Sequence, residues 1–293
     1  MPAPLKFGTF VAALALLLWL VLFPLGASAG LTRSVIYQPS KAIKAVTLDG
    51  LPAGGEVVTV RTADGLDLKG IVYRGDGEAD MILVFHGNAS SANGTAQWLR
   101  PLIEAGHSVI FAEYRGYAGN PGKPSEKGTA LDAAAFADLA FKIARQEHHA
   151  QRVVYVGHSL GGAVAFQAAA HAMPDTLITI GAFTDTPNLA PKLARGFIAD
   201  RYDNRARLKA LTSPYFILHG TTDPVIPLAH AKMLFEAAEQ AGKQGGAFVF
   251  EGEGHDPDGA KVSKVINLIA AKGVKAVDEP DWPGTHVMRF GKQ

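Results

Sequence analysis

Short apolar runs, separated by longer stretches of mixed polarity, organise the chain from about residue 80 onward. Met81–Phe85, Ser108–Ala112, Val153–Val156, Leu177–Ile180, Tyr215–Leu218 and Phe248–Phe250 are each too short for a helix and carry almost no polar alternation. Strands covered on both faces read this way. Helical segments fit between and after them, at Ala96–Ala105, Ser125–Gln146, Leu160–His171, Leu228–Ala241 and Ala260–Ala271. Two further strands come first, Glu56–Arg61 and Leu68–Tyr73, and Asp64-Gly65 between them is a hairpin signal. Strand–helix alternation predicts right-handed crossovers and a mostly parallel α/β sheet of about eight strands with helices on both faces. Nothing repeats at a fixed period. The pattern divides the chain into an N-terminal segment (1–30), one α/β domain (31–275) with a small cap at about 184–211, and a Pro/Gly-rich tail (276–293).

The N-terminal segment differs from the rest. Lys6 precedes an apolar run from Phe7 to Phe23, Pro24 breaks it, and Ala27-Ser28-Ala29 follows. A basic start, an apolar stretch and an A-x-A site form a secretory signal pattern. An uncleaved membrane anchor is the competing reading, since the run falls slightly short of the ~20 residues of a span. Both readings place the folded domain outside the cytoplasm, either anchored by residues 7–23 or released by cleavage after Ala29.

Composition narrows the chemistry. Hydrophobic residues make up 48% of 293, enough for a large buried core. A net charge of +1, from 28 basic and 27 acidic residues, supplies no global field for nucleic acid, so none is expected as a partner. Cysteine is absent, which excludes disulfides, thiolate nucleophiles and Cys-based metal centres. No H-E-x-x-H occurs, and no metal is expected. Any covalent catalyst is therefore an oxygen or nitrogen nucleophile.

Gly157-His158-Ser159-Leu160-Gly161 supplies one. G-x-S-x-G recurs by chance, but here a strand runs directly into it and an Ala-rich helix leaves it. Small residues on both sides permit a sharp strand-to-helix turn. The turn lifts the serine hydroxyl above the sheet, at a helix N-terminus whose partial positive charge favours an oxyanion. A serine hydroxyl needs a base, and the base needs an orienting carboxylate. Asp223 lies in the loop after Tyr215–Leu218, and His255 in the Gly-rich loop after Phe248–Phe250. All three residues fall beyond the carboxyl ends of strands, where open α/β sheets gather their catalytic groups. Asp200 and Asp203, in the Arg-rich stretch Arg195 to Arg207, are the alternative acids.

An oxyanion hole needs two backbone donors. Leu160, directly after the nucleophile, is one, and Asn88 in the loop His86-Gly87-Asn88-Ala89 is the other, with Ala89 as the alternative. His86, His158 and His219 read as structural, and Arg115 as a loop-fixing residue. A P-loop at Gly116–Lys123 is rejected, because the required Gly and Ser/Thr are replaced by Tyr117 and Pro124. Leu189, Leu193 and Phe197 fall largely on one helical face and, with Tyr117, are candidates for a substrate pocket.

The ordered set His86-Gly87-Asn88, Glu113-Tyr114-Arg115-Gly116-Tyr117, the Ser159 elbow, the Asp223 loop and Gly254-His255 resembles the α/β-hydrolase superfamily. The likeness runs from Val57 to Ala271. More narrowly, it is similar to membrane-anchored α/β-hydrolase-domain proteins with a small cap, a group that includes depalmitoylating thioesterases and serine aminopeptidase-like members. The resemblance implies the α/β-hydrolase fold and cofactor-free acyl transfer from a small-molecule ester or thioester. A transacylase, an aminopeptidase and a non-catalytic binding module are the alternatives, since fold alone does not establish activity.

Overall fold

The computed structural model describes residues 32–75, 79–147 and 152–291. The N-terminal apolar run and its A-x-A site lie outside the described residues. Among those described, no helix is long and apolar enough to cross a membrane.

Nine strands form one sheet in the order β1-β2-β4-β3-β5-β6-β7-β8-β9. They are β1 (Gly55–Arg61), β2 (Asp67–Tyr73), β3 (Met81–Phe85), β4 (Ser108–Ala112), β5 (Val153–His158), β6 (Thr176–Ile180), β7 (Tyr215–Gly220), β8 (Gly245–Phe250) and β9 (Thr285–Arg289). Strands β4, β3, β5, β6, β7 and β8 pair in parallel. Strands β1 and β2 form the expected hairpin and join the sheet antiparallel to β4. The helices that pack on this sheet are, in chain order, α1 (Ala92–Trp98), α2 (Arg100–Glu104), α3 (Glu126–Lys142), α4 (Leu160–His171), α5 (Asn204–Ala210), α6 (Leu228–Gln240) and α7 (Gly259–Lys272).

The short central strands are buried along their whole length, so successive residues feed opposite faces. Met81, Leu83 and Phe85 of β3 pack in one core with Phe136 of α3, Phe166 of α4 and Leu234 of α6. Ile82 and Val84 pack in the other, with Ala96 of α1, Leu102 of α2 and Ile266 of α7. Apolar residues on both faces leave the strands no amphipathic alternation, and this is why they read as continuous runs.

Three expectations need correction. The helix expected over Ala96–Ala105 is two helices broken at Leu99, where Pro101 can neither donate to nor fit against the preceding turn. Ser91 caps α1 by accepting from the Gly94 amide, so that helix starts earlier than expected. The stretch read as a tail contributes β9, antiparallel to β8 from Phe250↔Thr285 to Gly246↔Arg289. With it the sheet has nine strands among the described residues. Gly246 is fitted to this partner, since a Cβ there would collide with the Met288 carbonyl. Ser125, at the expected start of its helix, caps α3 by accepting from Gly128 N at 3.0 Å.

Candidate active site

Ser159 sits where β5 turns into α4, with φ 53° and ψ −116°. A non-glycine residue in this region costs about 1–3 kcal/mol and persists only where its surroundings enforce it. Two backbone bonds do so: Ser159 N donates to Ile180 O at 2.8 Å, and Gly162 N donates to Ser159 O at 3.0 Å. The flanking glycines are required by space. A Cβ at Gly157 would lie 2.6 Å from Gly162 Cα, and one at Gly161 would strike the Phe85 carbonyl and lie 2.6 Å from His86 O. Gly161→Ala is expected to cost about 1–3 kcal/mol by overpacking. A lower urea midpoint would show it, with activity lost beyond the unfolded fraction because β3 and its following loop must shift.

Asp223 is buried and fully engaged. Its Oδ1 accepts from Val225 N and Ile226 N, each at 2.8 Å, and its Oδ2 accepts from His255 Nδ1 at 2.8 Å. Burial alone would raise the Asp223 pKa, but the hydrogen bonds from His255, Ile226 and Val225 outweigh it and hold the carboxyl below its usual range. With Nδ1–H given to Asp223, His255 keeps the Nε2 lone pair for a proton from serine. Gly181 marks the meeting point: it follows Ile180, and a Cβ there would come within 3.2 Å of His255 Nδ1 and 3.4 Å of Asp223 Oδ2. Ser159 Oγ makes no hydrogen bond among the described residues. Serine–histidine bonds of this kind often tighten only when substrate binds.

The His255 loop is clamped from behind. His158 Nε2 donates to His255 O at 2.9 Å, and the two rings lie 4.9 Å apart. The Trp98 ring lies 5.0 Å from that of His158, tilted by 56°, and its indole donates to Pro257 O at 2.8 Å.

The loop after β3 is fixed as firmly. His86 Nε2 meets Glu113 Oε1 at 2.6 Å, both side chains fully buried, and Glu113 Oε2 accepts from Ala92 N. Tyr114 OH donates to His86 O at 2.8 Å. A Cβ at Gly87 would lie 2.8 Å from His158 Nδ1, so glycine lets this loop pack against the residue that precedes Ser159. The backbone N–H groups of Asn88 and Leu160 make no hydrogen bond to any described residue. Two unspent donors beside a serine elbow are what an oxyanion requires.

Residues 80–204 match the family model described as alpha/beta hydrolase fold, and residues 174–271 match that of the prolyl oligopeptidase family. An uncharacterized Mycobacterium tuberculosis protein, Rv2307c, is 33% identical over 234 residues, which are 77% of this chain and 81% of that one. The chain belongs to the α/β-hydrolase superfamily. Human alpha/beta hydrolase domain-containing protein 17B is 29% identical over 188 residues, covering 63% of this hydrolase and 65% of its own length. Among solved structures, the Pyrococcus furiosus esterase Pf2001 shares the fold with a TM-score of 0.58 at 15% identity, over 83% of this chain and 97% of that one.

The hydrolase places the other sequence candidates differently. Tyr117 does not line a pocket: it is fully buried, and its hydroxyl donates to Asn88 Oδ1 at 2.7 Å, bracing the loop after β3 from behind. Leu189, Leu193 and Phe197 share no helical face. Pro187 and Pro191 split the cap into 3₁₀ turns at Pro187–Leu189 and Lys192–Phe197, and Leu193 is 94% exposed. Neither alternative acid touches His255, since Asp203 caps α5 through Ala206 N and Asp200 belongs to another network. Arg115 fixes its loop as expected, bonding Asp64 and Asp132. No group of three or more metal-capable side chains occurs among the described residues.

That other network joins the cap to the oxyanion loop. Arg33 forks onto Asp200 at 2.9 and 3.1 Å, and Tyr37 OH donates to the same carboxylate at 2.9 Å. Tyr37 also pairs with Tyr202 OH, which meets Thr129 Oγ1, each at 2.8 Å. The next residue, Gln38, donates its backbone N–H to Asn88 Oδ1 at 2.8 Å. The strap 32–38 thus holds both sides of the site. These partners lie more than 160 residues apart for Asp200 and 50 for Asn88, and no local motif announces them.

Buried neutral histidines give the hydrolase a pH-dependent stability. Burial, aided by the adjacent His255, lowers His158 to about 4, and burial also depresses His219 and His230. The unfolded chain binds these protons near pH ~6.5 while the folded one refuses them. Stability is therefore complete above ~6.5 and is lost as pH falls towards about 4. The urea midpoint should drop between pH 7 and 4.5, and His158→Gln should flatten part of that slope. A wild-type midpoint constant over this window would contradict a neutral His158.

Proposed function

We propose that this hydrolase cleaves carboxylic esters or thioesters through an acyl-enzyme on Ser159. The observation that carries the reading is the 2.8 Å bond from His255 Nδ1 to Asp223, beside a serine held at the left-handed elbow. His255 Nε2 takes the Ser159 proton as Oγ bonds to the acyl carbon, and the amides of Asn88 and Leu160 receive the oxyanion. The tetrahedral adduct collapses, and the leaving alkoxide or thiolate takes the proton from His255. Water then gives a proton to His255, its oxygen attacks the acyl carbon, and Ser159 leaves with that proton. A fluorophosphonate probe should label the wild-type chain and leave Ser159→Ala unlabelled. An unlabelled wild-type chain would favour a binding module instead.

A peptidase reading is favoured by the match of residues 174–271 to the prolyl oligopeptidase family. Such an activity needs an unpaired carboxylate near Ser159 to hold a substrate ammonium. The cap carboxylates are not available for that role, since Asp200 is held by Arg33 and Tyr37, Asp203 by its helix cap, and Asp185 by Asn188. Esters and thioesters should therefore exceed aminoacyl amides in kcat/KM. Matched substrates with and without a free amine test this, and a preference for the free-amine amides would promote the peptidase.

We further propose that residues 1–30 direct export. Fusing residues 1–40 to a reporter active only outside the cytoplasm should give signal, and an expressed but silent fusion would count against it.

A further inference from the structure

Leu193, Val35 and Val225 are 94%, 69% and 57% exposed, the three highest values for large apolar side chains among the described residues. They come from three separate places, the cap, the strap and the Asp223 loop, yet all lie at the carboxyl end of the parallel strands. Leu189 and Phe197 of the cap are exposed there as well. Holding such residues in water has no structural return, and grouped exposure of this kind marks an interaction surface.

Charge indicates the partner. Lys192, Arg195 and Arg201 make no ion pair with any described residue, whereas Arg33, Arg205 and Arg207 of the same region are paired. Lys192 directly precedes Leu193, and Arg195 follows it two residues later. Protruding apolar side chains set among unpaired cations match an anionic lipid surface, where the apolar tips enter the headgroup boundary and the cations meet phosphates. The strap is tied to the cap at this same end through Arg33 and Asp200.

We propose that this rim is a docking face for an anionic bilayer, with Leu193 and Phe197 as its inserted tips. Resting on the catalytic reading of Ser159, it implies that the mouth of the site faces the membrane and draws acyl substrates from it.

The absence of cysteine allows a direct test in the full-length chain. Leu193→Cys carrying an environment-sensitive fluorophore is mixed with vesicles of phosphatidylcholine and phosphatidylglycerol. The same dye at Met173→Cys, just beyond α4 at the opposite end of the sheet, is the control. The Leu193 dye should shift to the blue and become accessible to a lipid-borne quencher, while the Met173 dye stays aqueous. Replacing Lys192 and Arg195 by Gln should weaken the Leu193 response about thirtyfold in lipid titrations, given ~1 kcal/mol per surface cation. Thermal midpoints equal to wild type confirm that the labelled chains are folded. An aqueous Leu193 dye on vesicle-bound chain would overturn the proposal in favour of a protein partner. Equal shifts at both positions, or no vesicle binding, would also overturn it. The dye reports position rather than turnover, so these outcomes are independent of whether Ser159 hydrolyses esters.

Discussion

Ser159→Ala is expected to lower kcat for ester hydrolysis by about a million-fold. Removing the nucleophile should leave roughly a thousandfold to ten-thousandfold acceleration over water, supplied by binding and the oxyanion donors. The structure adds a second readout. Ser159 has φ 53°, a conformation whose cost alanine shares and glycine does not. Ser159→Gly should therefore be as inactive as Ser159→Ala yet more stable than it, by about 1 kcal/mol once the added freedom of the unfolded glycine is counted. Wild-type serine carries the strain to place its hydroxyl, so activity and stability should separate at this position. Steady-state kinetics and urea melts on both variants check the pair. A Ser159→Ala rate above a tenth of wild type would remove Ser159 from the mechanism. Equal stability of the two variants would show that the elbow stores no strain.

What could be read beforehand follows from how local each determinant is. The central strands were legible because burial on both faces leaves an unbroken apolar run, and the candidate triad because each member lies in the turn or loop that follows such a strand. Strand β9 was not: its pattern of alternate half-exposed residues is that of an edge, and Pro283 and Gly284 before it resemble a tail. The cap stripe misled for the opposite reason. Leu189, Leu193 and Phe197 keep a spacing of four, but Pro191 prevents the helix that would give the spacing meaning. Tyr117 is buried behind the Asn88 loop rather than exposed on its front, and sequence cannot tell which side of a loop an aromatic supports. The strap was beyond reach, because Tyr37 and Asp200 become neighbours only once the whole sheet is assembled.

Asp223→Asn should reduce kcat by about ten-thousandfold with little change in fold, and the reason lies in which atoms face which. The two amides of Val225 and Ile226 hold Oδ1, so the asparagine oxygen stays there and its NH2 replaces Oδ2 opposite His255 Nδ1. A donor now faces Nδ1, which must turn its lone pair outward and surrender its proton to Nε2. The imidazole then presents N–H to Ser159 and cannot accept the serine proton. The same substitution at Asp203 should be nearly silent, because asparagine caps a helix as well as aspartate does. Asp200→Asn should fall between them, loosening Arg33 and Tyr37 without touching His255. Comparing kcat and thermal midpoints for the three variants separates the tautomer effect from general destabilisation. A severe loss at Asp203 beside a mild one at Asp223 would transfer the role of the acid to the cap.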